Sequence, residues 1–120
     1  MILIGDIGNT DTKICLINSN YTIIKKLTLP TKKINKSILL KKLTYIINKK
    51  SSIRKSLFCS VVPNKFLLIK SFLKKNLKIK TIELKNLKLS NIMKIKVNRK
   101  QVGSDRLANS IAVISKKKII

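Results

Sequence analysis

The order in which residue periods change along the chain constrains its fold more than any other feature. Strand-type patterning fills Met1 to Leu29 before any helical period appears. Met1 to Ile4 is apolar and β-branched, and Gly5-Asp6-Ile7-Gly8-Asn9-Thr10 follows, which reads as a buried strand running into a tight turn. Thr12 to Ile17 is a second strand, with Ile14 and Leu16 alternating against Lys13 and Cys15. Ser19-Asn20 marks a hairpin turn, and Tyr21 to Leu29 is a third strand that Pro30 ends, since proline cannot donate to a ladder. The chain therefore opens as an antiparallel meander. The period then changes: Leu39, Leu43, Ile46 and Ile47 share one face of a helix over Asn35 to Asn48. Ser56 to Val62 reads as a buried strand, and Pro63-Asn64 opens a helix to about Lys75 bearing Phe66, Ile69, Phe72 and Leu73. Ile79 to Leu84 is a fifth strand, Asn86 to Val97 fits no single period, and Gln101 to Ser104 is a loop. Ser104 is placed to cap a helix over Asp105 to Ser115. The order β-β-β-α-β-α-β-α implies an α/β domain.

At 120 residues there is room for one domain or for a piece of a larger one. Hydrophobic residues make up 44% and aromatics only 4%, so the core is aliphatic. The absence of histidine removes His-based acid–base chemistry, Ser-His-Asp triads and His metal sites together. Cys15 and Cys59 stand far apart and read as small buried hydrophobes in a reducing compartment. The formal charge of +24 invites a nucleic-acid reading. Against it, the only arginines are Arg54, Arg99 and Arg106, the lysines are spread over almost every segment, and Tyr21, Tyr45, Phe58, Phe66 and Phe72 are not interleaved with them as stacking platforms. Lys, Ile and Asn all have A/T-rich codons, so the charge reads as genome composition on a solvated surface. No uncharged run reaches the roughly 18 residues of a membrane span. The N-terminus lacks a basic region ahead of its apolar run, and a cytoplasmic protein without a membrane partner is expected.

Acidic residues are scarce enough that their positions inform. Of Asp6, Asp11, Glu83 and Asp105, three lie in two Gly-containing segments. The first is Asp6-Ile7-Gly8-Asn9-Thr10-Asp11-Thr12-Lys13. A phosphate-gripping hairpin needs a glycine that lets backbone N–H groups face the anion, donors such as Asn9, Thr10 and Thr12, and a cation such as Lys13. Asp6, at a strand end, could hold Mg²⁺ through water. An ordinary hairpin with an Asx turn uses the same residue types; the position of Asp6 in so acid-poor a chain favours function. The second segment is Gly103-Ser104-Asp105-Arg106, leading into Leu107-Ala108-Asn109. Asp105 could cap a helix, or could take a proton from a substrate hydroxyl, with Arg106 binding an anionic group.

The two segments together resemble one family, the type III pantothenate kinases. Asp6 to Lys13 matches its D-x-G-N-T-x-x-K, Ser60-Val61-Val62-Pro63 its mid-domain S-V-V-P, and Gly103 to Asn109 its G-[AS]-D-R-[LI]-A-N. The resemblance implies a ribonuclease H-like, actin-like domain (acetate and sugar kinase/chaperone ATPase superfamily) over residues 1–120, the first of two such domains. It implies ATP binding by Asp6, Ile7, Gly8, Asn9, Thr10, Asp11, Thr12 and Lys13, with Asp6 near the metal. Gly103, Ser104, Asp105 and Arg106 would contact pantothenate, and Asp105 would be the general base. ATP with Mg²⁺, a monovalent cation (K⁺ or NH₄⁺) bound outside this chain, and a homodimer are further implications. Two positions depart from the family pattern: Lys96 and Arg99 stand where its Y-x-N-P element has tyrosine and proline. The family is about twice this long, with a D-F-G-T-A-T element in its second half. The ending Lys116-Lys117-Lys118-Ile119-Ile120 reads as the opening of an apolar strand, so a truncated chain, inactive alone, is expected. A non-catalytic relative of the same fold and a basic nucleic-acid-binding domain are the rival readings.

Overall fold

The computed structural model describes residues 1–84. Strands β1 (Ile2–Ile7), β2 (Asp11–Ile17) and β3 (Ile23–Pro30) form the expected meander. A 3₁₀ turn over Thr31–Lys33 leads to helices α1 (Lys36–Lys42) and α2 (Thr44–Asn48), then a second 3₁₀ turn over Lys50–Ser52. Strand β4 (Lys55–Ser60), helix α3 (Pro63–Leu77) and strand β5 (Thr81–Glu83) complete the described chain. The sheet order is β3-β2-β1-β4-β5, with β4 parallel to both β1 and β5. The ambiguous segment 86–97, the loop Gln101 to Ser104 and the helix expected from Asp105 lie outside the described residues.

Strand β1 has a neighbour on each side and is buried along its whole length, which is why its sequence runs apolar without alternating. Its alternate residues nonetheless divide between two cores. Leu3 and Ile7 join Ile14, Leu16 and Phe58 under the helices, packed against Leu39, Leu43, Ile46, Phe66, Ile69 and Leu73. Ile2 and Ile4 join Cys15, Ile17 and Leu57 on the opposite face. Burial pushes the Cys15 thiol up to about 11, against a smaller opposing pull from the Lys26 charge, so it stays protonated and inert at neutral pH.

Several elements differ from the sequence expectation, among them β4, which ends at Ser60 and not at Val62, and β5, which spans Thr81–Glu83 and not Ile79 to Leu84. Strand β1 runs through Gly5 and Asp6 to Ile7 instead of turning after Ile4. Gly5 is needed for close approach: a Cβ there would overlap the Phe58 ring, which leans across from the neighbouring strand. Gly5→Ala is therefore expected to destabilise the fold by about 1–3 kcal/mol, with part recovered by adding Phe58→Leu. Thermal unfolding checks this; equal midpoints for Gly5→Ala and the parent would show that the ring moves aside freely.

The third strand begins at Ile23, later than Tyr21. The Asn18 side chain accepts from the N–H groups of Asn20 and Thr22, and Tyr21 takes a left-handed φ of 60°, so Tyr21 belongs to the turn. The helix over Asn35 to Asn48 is divided at Leu43. Asn35 caps it by accepting from Ile38 N–H at 2.8 Å. The Thr44 hydroxyl then bonds back to the carbonyls of Leu40 and Lys41, both at 3.0 Å, a competition that bends helices. Helix α3 runs to Leu77, where Lys78 in left-handed conformation donates its N–H to the Lys74 carbonyl.

No described lysine is buried, and lysines occur on strands, helices and turns alike. Two aromatics do meet them: the Lys25 and Lys49 ammonium groups lie 5.5 and 5.7 Å from the Tyr45 ring centroid, and that of Lys70 lies 6.0 Å from the Phe66 centroid. No helix among the described residues is long and apolar enough to cross a membrane.

Candidate active site

The parallel strands β1 and β4 end level with one another at Ile7 and Ser60, and β5 ends at Glu83, opposite Phe58 and two residues short of them. In open α/β sheets ligands bind beyond the carboxyl ends of such strands, where the order of strands reverses direction. Strand β1 is that point here, flanked by β2 on one side and β4 on the other. The loop Gly8-Asn9-Thr10 leaves from its end and returns into β2.

Pairing fixes which way the loop's flanking residues face. Asp6 is opposite Lys13 on β2 and Cys59 on β4. Side chains opposite one another share a face, at Cβ separations of about 4.5–5.5 Å. Asp6 and Lys13 therefore stand side by side on the face away from the described helices, the carboxylate buried and the lysine half-buried. Asp6 is one residue inside the strand end, so its orientation is held by the sheet and not by the loop. Ile7 points the other way, into the core beneath the helices.

Within the loop, the Gly8 N–H donates to the Asp11 carbonyl at 2.9 Å. That amide closes the turn. Asn9, Thr10 and Asp11 are exposed. Among the described residues, no protein acceptor takes the N–H of Asn9 or Thr10, which leaves these two amides at the loop's tip for an outside ligand. Asp11, also exposed, serves the turn through its carbonyl.

Thr12 is the clearest departure among the expected donors. It is fully buried, on the same side of β2 as Ile14 and Leu16. Its hydroxyl lies 2.9 Å from that of Thr31, which itself donates to the Gly8 carbonyl at 2.8 Å. The single Thr31 proton is committed to Gly8, so Thr12 donates to Thr31 and its hydroxyl is a support and not a ligand donor. Thr31 was invisible to motif reasoning; a lone threonine after proline carries no signal of a partner some twenty residues earlier.

The Ser60-Val61-Val62-Pro63 segment lies against the same strand end. The Val61 N–H donates to the Ile7 carbonyl at 3.0 Å. The Ser60 hydroxyl closes a small turn with both backbone groups of Val62, and Pro63 starts α3 at its first position. The second expected segment, Gly103, Ser104, Asp105 and Arg106, lies outside the described residues.

A five-stranded sheet in the order β3-β2-β1-β4-β5, with its first hairpin loop at the carboxyl edge, defines an actin-like α/β domain. A family model for type III pantothenate kinases matches residues 2–120, and the chain belongs to that family. A type III pantothenate kinase of Pelagibacter ubique (strain HTCC1062) is 60% identical over 117 residues, which is 98% of this chain and 47% of that protein. The chain thus spans about half the length of the curated relative it matches.

Proposed function

We propose that this chain is the first of two domains of a kinase that transfers the γ-phosphate of ATP to the primary hydroxyl of pantothenate. The product is 4′-phosphopantothenate, and the reaction opens coenzyme A synthesis. The observation that carries the reading is the strand-end cluster: Asp6 and Lys13 side by side, next to the exposed residues Asn9 and Thr10, whose amides take no protein acceptor among the described residues. Such a set grips phosphate through backbone donors and a point charge.

Mg²⁺ keeps several waters and takes one or two carboxylates besides the substrate's phosphate oxygens. Asp6 fits that need as a single carboxylate at the sheet edge. No group of three or more His, Cys, Asp or Glu occurs among the described residues, so those residues offer an attachment point and not a cage. When bound, the metal would neutralise charge on the transferring phosphates. Lys13 would hold a phosphate oxygen, the loop amides would orient the chain of phosphates, and Asp105 would accept the proton of the attacking hydroxyl. Gly103, Ser104 and Arg106 would bind pantothenate. The working enzyme is a cytoplasmic homodimer that also needs K⁺ or NH₄⁺, a requirement assigned to no residue of this chain.

The test uses the complete gene product, or residues 1–120 joined to the remaining half of the Pelagibacter ubique relative. Pantothenate- and Mg²⁺-dependent conversion of ATP to ADP is the expected result, with none from residues 1–120 alone. Lys13→Ala should raise the KM for ATP more than that for pantothenate. ATP binding without turnover in the complete protein would favour a non-catalytic relative, the reading that Lys96 and Arg99 at the family's tyrosine and proline positions support. Turnover by residues 1–120 alone would overturn the placement of the site.

A further inference from the structure

The hairpin loop is held by a residue outside it. Thr31, directly after β3, makes three hydrogen bonds to the β1–β2 hairpin. Its N–H donates to the Thr10 carbonyl at 2.9 Å, its hydroxyl donates to the Gly8 carbonyl at 2.8 Å, and it accepts from the Thr12 hydroxyl at 2.9 Å. Thr31 and Thr12 are both almost wholly buried, at 2% and 0% exposure, so water does not replace these bonds when one is removed. The carbonyls of Gly8 and Thr10 flank the two amides that take no protein acceptor among the described residues, those of Asn9 and Thr10. Each peptide plane is rigid, so fixing a carbonyl fixes the direction of the N–H that follows it. The Gly8 carbonyl shares its plane with the Asn9 N–H.

We propose that Thr31 is a positioning residue for phosphate binding, its hydroxyl aiming the Asn9 N–H at the nucleotide by locking the Gly8 carbonyl. This rests on the reading that the loop holds ATP phosphates. The hydroxyl touches no substrate. It sets the direction of a donor, and a misdirected donor loses affinity for one ligand and not for the other.

The experiment compares Thr31→Val and Thr31→Ser in the complete protein. Valine keeps the shape, the β-branch and the N–H bond to Thr10 but removes both hydroxyl bonds; serine restores the hydroxyl. For Thr31→Val, the KM for ATP should rise about tenfold, while that for pantothenate stays within about twofold. Thr31→Ser should match the parent in both. Amide exchange gives a second readout without substrate: the Gly8 N–H should exchange about tenfold faster in Thr31→Val, and the β4 amides at their parental rates. A parent that lacks kinase activity but shows this exchange pattern would sink the proposed function and leave the clamp in place. Unchanged KM for ATP in a folded Thr31→Val, or equal rises for both substrates, would overturn the positioning role. Should the valine variant fail to fold, a raised KM for ATP in Thr31→Ser would overturn it as well, and parental values would support it.

Discussion

Asp105→Asn is expected to lower kcat of the complete enzyme by roughly 10²–10⁴-fold while leaving ATP binding nearly unchanged. The substitution keeps size and polarity and removes basicity, so it isolates proton acceptance from shape. A phosphoryl acceptor hydroxyl must lose its proton as the new bond forms, and among the acids of this chain Asp105 alone lies in the segment assigned to pantothenate. The competing role is helix capping, and asparagine caps about as well as aspartate. A capping role therefore predicts parental activity and parental melting temperature. Steady-state kinetics with nucleotide binding measured separately distinguish the two, and a fully active Asp105→Asn enzyme ends the general-base assignment.

Asp6→Asn should act on the other substrate. Its carboxylate is held in the sheet, one residue short of the edge, opposite Lys13. Replacing it by an amide removes the negative charge proposed to face the metal without vacating the space. Metal affinity or activity should fall by about 10–100-fold, as for other groups that act on a metal through its waters. The loss should shrink as Mg²⁺ is raised, because mass action restores occupancy. Titrating activity against Mg²⁺ at fixed ATP checks this: a defect of constant size at every Mg²⁺ concentration would count against the metal role. The neighbouring Lys13 would then bind phosphate beside an uncharged side chain, so Asp6→Asn should not weaken metal-free nucleotide binding.

The meander, strand β4 and helix α3 were legible because their apolar periods are strong and their ends carry turn residues. Less legible was whatever depends on a neighbour distant in sequence. Gly5 looked like a turn residue because glycines punctuate turns; its real cause is the Phe58 ring, more than fifty residues on. The division at Leu43 follows from a hydroxyl choosing backbone partners, which hydrophobic spacing does not encode. Thr12 is the instructive case. Its parity with Ile14 and Leu16 was visible in the sequence and places it facing the core, yet the motif lent it the role of a ligand donor. Strand alternation divides the hairpin: Asp6 and Lys13, the proposed ATP contacts, face one way, and Thr12 faces the other, into the core. The motif string does not distinguish them. For Gly103 to Arg106 the sequence and the family remain the basis of assignment.

The clamp on the loop has a consequence for the order in which the domain becomes competent. Thr31 directly follows β3, which among the described residues is an outer strand with a partner on one side only. Edge strands detach at lower free energy than the strands they border. The central hairpin can thus be fully paired while its loop is still unset, until β3 docks and brings Thr31 into place. The readiness of the loop follows the adherence of the sheet's border rather than the solidity of its middle. Substitutions on the outer side of β3, far from any reacting atom, should then tune nucleotide affinity by changing how much of the time that border is closed.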